Sequence, residues 1–91
     1  MLIPSAVPGA DLVNRGIADL EAGRHSVEAL LVSIGAPRLR LCGIAVDNPI
    51  AAPEHELYRL LSETGSDSAH GRYNALIRRL VSFERAVACA R

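Results

Sequence analysis

From Ser68 to Arg91 the chain runs without a proline, and its apolar residues recur at helical spacing. At about 100° per residue from Tyr73, the residues Leu76, Ile77, Leu80, Val81, Phe83, Val87 and Ala88 fall on one broad stripe. Arg72, Arg78, Arg79, Ser82 and Arg85 fall outside it. This pattern predicts an amphipathic α-helix with one side turned to a core. Ser66, Asp67 and Ser68 supply N-capping oxygens at its start. A helix of roughly 20 residues spans about 30 Å, the width of a small domain, so the other helices are expected to pack on it.

Glu84 breaks the pattern, because it lies in the stripe among Tyr73, Ile77, Leu80 and Val87. A carboxylate there loses its hydration and needs a partner or a raised pKa. His70 is nearly four turns away along the axis and cannot reach it. Three readings stay open: an internal ion pair with an Arg of another helix or a partly exposed place at the helix end, a pairing across a subunit interface, or a catalytic carboxylate. The interface candidates are Tyr73, Ile77, Leu80, Glu84 and Val87.

Ninety-one residues suffice for one small domain, in which the margin of stability is thin. Apolar residues make up 49%, yet only Phe83, Tyr58 and Tyr73 are aromatic. A core of Leu, Ile, Val and Ala favours packed helices over a β-sandwich. Formal net charge is zero, with ten Arg and no Lys, so there is no global electrostatic footprint for nucleic acid. The lack of Lys reads as GC-rich, bacterial-type coding. Cys42 and Cys89 stand far apart among apolar residues and are expected to behave as small buried hydrophobes. The first residues lack a secretory pattern, and no apolar run is long enough to cross a membrane. The expected setting is the cytoplasm.

Residues 1–9 contain Pro4, Pro8 and Gly9 and are expected to be extended. Ala10 to Ala22 forms a first helix, with Val13, Ile17 and Leu20 inward, Asn14, Arg15 and Asp19 outward, and Gly23 as its stop. Ser26 caps a second helix, Val27 to Ile34, which is apolar nearly all round and therefore central. Gly35-Ala36-Pro37 is expected to end or kink it. A short third helix follows, with Pro37 at its start and Gly43 at its stop; Leu39 and Ile44 form the apolar pair of a Schellman motif. A strand over Arg38 to Val46 is the competing reading, but it has no partner elsewhere. Pro53 opens a fourth helix that runs to about Glu63 and buries Leu57, Leu60, Leu61 and part of Tyr58.

Motifs for chemistry are sparse. His25, His55 and His70 do not stand at metal-ligand spacing, neither cysteine has a companion at such spacing, and no phosphate-cradling glycine loop or nucleophile elbow occurs. No metal, cofactor or catalytic residue is assigned. Arg72-Tyr73-Asn74 resembles the opening of the Arg-polar-x-x-x-x-His signature of helical ribonucleases, but no His follows. Residues 26–44 resemble a helix-turn-helix, with Gly35 in the turn, Leu41 and Ile44 inward, and Arg38 and Arg40 facing outward to DNA. Leu31 is large for that motif and Gly43 ends the recognition helix early. The sequence therefore predicts an all-α, compact bundle of four to five helices with a long C-terminal helix. It is expected to act by protein–protein contact as a homodimer or accessory subunit, with a DNA-binding regulator as the alternative.

Overall fold

The computed structural model describes residues 7–63 and 65–90, with the backbone alone at positions 66, 89 and 90. The reading of Cys89 as a buried side chain, and that of residues 1–6 as extended, lie outside the described residues. Four helices follow in order: α1 Ala10–Glu21, α2 Val27–Leu41, α3 Pro53–Ser62 and α4 Ser66–Ala90. Among the described residues there is no strand, which removes the competing reading of Arg38 to Val46. None of these helices is long and apolar enough to cross a membrane.

α2 is one helix and not two. It continues through Pro37, so the expected break at residues 35–37 and the separate third helix do not form. A proline inside a helix removes one backbone bond and crowds the carbonyl four residues earlier, at a cost of about 3 kcal/mol. Burial of Ala29, Leu30, Leu31, Val32, Ala36 and Leu39 on both sides of Pro37 opposes that cost. The pyrrolidine ring itself is exposed, where no neighbouring helix has to accommodate it. The stop falls where the sequence places it. Ile44 N–H donates to Leu39 O at 2.9 Å and Gly43 N–H to Arg40 O at 3.0 Å. With Gly43 at φ 87°, this is a Schellman turn whose apolar pair, Leu39 and Ile44, is buried.

α2 is also the element that touches all three others, the central place expected of it, whereas α4, on which every other helix is expected to pack, has its main helix contacts with α2 and α3. The all-round apolarity of α2 is the reason. α1 lies against it at Gly16, where a Cβ would stand 2.4 Å from both Glu28 O and Val32 Cγ2. Asp19, expected to face solvent, is buried at the α1–α2 joint. It accepts from Ser26 Oγ at 2.5 Å and pairs with Arg24 at 3.4 Å, while Ser26 Oγ also caps α2 by accepting from Ala29 N–H. Pro53 opens α3 as expected, and Leu57 and Leu61 carry it onto the core.

The connection from Ile44 to Ala52 is held by side chains of α2. The buried Ser33 hydroxyl donates to Ala29 O at 2.8 Å and accepts from Ile50 N–H at 3.0 Å. The Arg40 guanidinium donates to Val46 O at 2.8 and 3.3 Å. Ahead of α1, residues Val7 to Gly9 form a turn closed by Ala10 N–H on Val7 O at 3.0 Å. Gly9, at φ 80°, brings that turn against Arg79 and Phe83 of α4.

Candidate functional site

The stripe on α4 is wider than its neighbours cover. Ala69, Leu80 and Phe83 are buried in the core. Tyr73, Ile77, Val81 and Val87 are half-buried, and Ala88 is exposed. Of the five interface candidates, Leu80 and Glu84 are therefore buried, while Tyr73, Ile77 and Val87 sit at the margin. The uncovered margin faces the outer edge of α2, and the two helices run in the same direction. Gly35 of α2 lies against Leu80 and Glu84, and further along Leu41 and Cys42 share a hollow with Glu84, Arg85 and Ala88.

Between them lies an open groove of about 490 Å³, lined by Ile34, Gly35, Pro37 and Arg38 of α2 and by Ile77, Leu80, Val81, Glu84 and Arg85 of α4. It continues into a smaller hollow of about 230 Å³ at Leu41, Cys42 and Ala88. The α2 lining recurs as 34, 37, 38, 41 and the α4 lining as 77, 81, 84, 88. That is the three-and-four spacing of a helix–helix seam. Leu41 stands at the open end with 79% of its surface exposed.

Glu84 forms part of the floor and is 7% exposed. A Cβ at Gly35 would stand 3.0 Å from its Oε2, so the absence of a side chain at position 35 lets the carboxylate lie over the α2 backbone. Burial pushes its pKa above the ordinary carboxylate range, and the Arg38 charge partly pulls it back. Among the described residues no ion pair within 4.0 Å reaches this carboxylate. Of the three readings of Glu84, the internal pair is thus present only as an attraction at longer range. Arg38 and Arg85 are both exposed on the groove's rim.

The other candidates do not gather at one place. His25 Nδ1 lies 2.8 Å from Glu56, His55 is exposed, and His70 is bonded to Asn74 at 3.2 Å. Among the described residues no group of three His, Cys, Asp or Glu is placed to hold a metal ion. Tyr58 stacks obliquely on Tyr73 at 5.9 Å, and burial, followed by the Glu54 charge, raises the Tyr73 pKa. The helix-turn-helix reading loses its turn, because α2 is continuous over Gly35. Leu41 points to solvent and not inward, and Arg40 is engaged with Val46.

Nothing in the sequence marks the groove except Glu84. No family model, curated protein or solved structure matches this chain. The surface is therefore read from its own chemistry: two aliphatic seams, one buried carboxylate and two rim guanidiniums.

Proposed function

We propose that this chain acts by protein–protein contact, as a self-associating or accessory subunit in the cytoplasm, and that the α2–α4 groove is its working surface. The observation that carries the reading is Glu84, a carboxylate kept on the floor of a groove between aliphatic side chains although burial there disfavours its charge. A carboxylate in such a place costs stability unless a cation completes it. Aliphatic seams with a single polar residue are how helices choose a partner and a register. Leu41 adds an anchor that gains from being covered.

A photo-crosslinking residue placed at position 41 in the living cell tests this. Adducts are expected at 41 and not at Glu21 or Asp67, which are exposed on other parts of the surface. An expressed, folded protein that gives no adduct at 41 refutes the reading.

A further inference from the structure

Resting on that reading, we infer that the groove's occupant is a second copy of this chain. The two copies pack about a twofold axis, so that Leu41 of each enters the groove of the other and Arg38 and Arg85 of each flank the other's Glu84. A twofold interface uses one patch twice, so that patch must contain both halves of every contact it makes. This patch does. Leu41 is the knob, and the hollow at Cys42, Val81 and Ala88 is the hole. Glu84 is the anion, and Arg38 and Arg85 are the cations, all on the same lining. A foreign partner would need a cation aimed at Glu84, acids aimed at the two arginines and an apolar knob between them. The chain already carries the first and third, and its own Glu84 supplies the second.

The helical periodicity agrees. Parallel stripes at 34, 37, 38, 41 and 77, 81, 84, 88 present a pair of adjacent helices to a like pair. Doubling the structure then makes a four-helix seam of α2, α4 and their counterparts, with α1 and α3 left outside it. Glu84 is its one buried charge. Within a single chain Arg38 only partly offsets the cost of burying it. Across the axis the partner's Arg85, exposed and unused by any ion pair among the described residues, completes the set. Such a charge specifies register, since any slip along the seam leaves it against aliphatic side chains.

The test is mass in solution by light scattering over a dilution series, for wild type and Leu41→Glu. Wild type is expected at twice its 9.7 kDa at high concentration. Leu41→Glu is expected to weaken association at least about tenfold, as loss of an interface anchor does. Because Leu41 is exposed in the single chain, this variant keeps its fold, checked by circular dichroism. A charge exchange follows. Glu84→Arg alone and Arg38→Glu/Arg85→Glu alone are each expected to be monomeric, and their equimolar mixture to give a heterodimer by native mass spectrometry. A wild-type mass of 9.7 kDa up to roughly 1 mM, where an association worth only ~4 kcal/mol is half complete, overturns the inference. So does a dimer indifferent to Leu41→Glu, or folded exchange partners that fail to pair. The wider reading falls separately: a monomer that still crosslinks at 41 to a different protein leaves it standing, and a monomer with no adduct ends both.

Discussion

Gly16 and Gly71 are both helical glycines, and replacing each with alanine is expected to move stability in opposite directions. On propensity alone the exchange is worth up to about 1 kcal/mol of stabilisation at either site. At Gly71 nothing lies within 4 Å of the added Cβ, so the gain is expected undiminished. At Gly16 the Cβ arrives 2.4 Å from Glu28 O and from Val32 Cγ2, against 3.4 Å for ordinary contact. The Val32 methyl group has some freedom to turn, but the carbonyl belongs to the first turn of α2. Relief therefore requires the helices to part by about 1 Å, the difference between those two distances. A gap of that size forfeits a quarter to a half of each dispersion contact it opens. The face concerned carries Leu12, Val13 and Leu20 of α1. Overpacking of this kind costs about 1–3 kcal/mol and occasionally more. Set against the propensity gain, Gly16→Ala is expected to lose about 2 kcal/mol, the upper part of that range less the gain. Urea unfolding followed by circular dichroism measures both variants. A shift of the midpoint at constant slope identifies a change in the native state. Gly16→Ala as stable as wild type would refute the close approach of α1 and α2.

Three further outcomes follow from contacts described above. Glu84 titrates above the ordinary value of 4.5, so the folded chain holds its proton more tightly than the unfolded one. Stability of the dilute, dissociated protein should then fall as pH rises from about 4.5 through the raised value and level off above it, and Glu84→Gln should flatten that fall. A Gln variant with the wild-type pH profile in chemical denaturation contradicts this. Ser33→Ala strands the Ile50 N–H and is expected to cost about 1–3 kcal/mol, with faster amide exchange at Ile50; unchanged exchange there would show that the connection is held by other contacts. Asp19→Ala removes the acceptor shared by Ser26 and Arg24 and should cost about 1–2 kcal/mol in thermal unfolding. A variant that melts with wild type would leave Asp19 without a structural role.

The features legible in the sequence are those set by neighbours along the chain. The stop at Gly43 depends on a glycine and an apolar pair at fixed offsets, and the hydrogen bonds from Gly43 and Ile44 form where those offsets place them. Pro53 at the head of α3 is of the same kind. The continuation of α2 through Pro37 was not legible, because the local rule says stop and the opposing force is burial against three other helices. Asp19 reads as a surface residue until Ser26 and Arg24 are folded back onto it. Periodicity identified the stripe on α4, and Glu84 as its exception. It did not distinguish Leu80, which is covered, from Val81 beside it, which is only half-covered. That distinction depends on where Gly35 allows α2 to come close.

The order of the helices bears on how the chain reaches this shape. α1 meets α2, α2 meets α3 and α3 meets α4, so three of the four principal helix contacts join sequence neighbours. Such contacts close short loops and place a chain among fast folders. The α2–α4 contact alone spans a whole intervening helix. Among these four it carries the largest loop-closure entropy and is expected to join late and open early in native-state hydrogen exchange. The groove lies along that junction. Whatever settles in it acts as a clasp on the last step of folding, and shifts the balance between a chain with α4 swung aside and one with α4 in place.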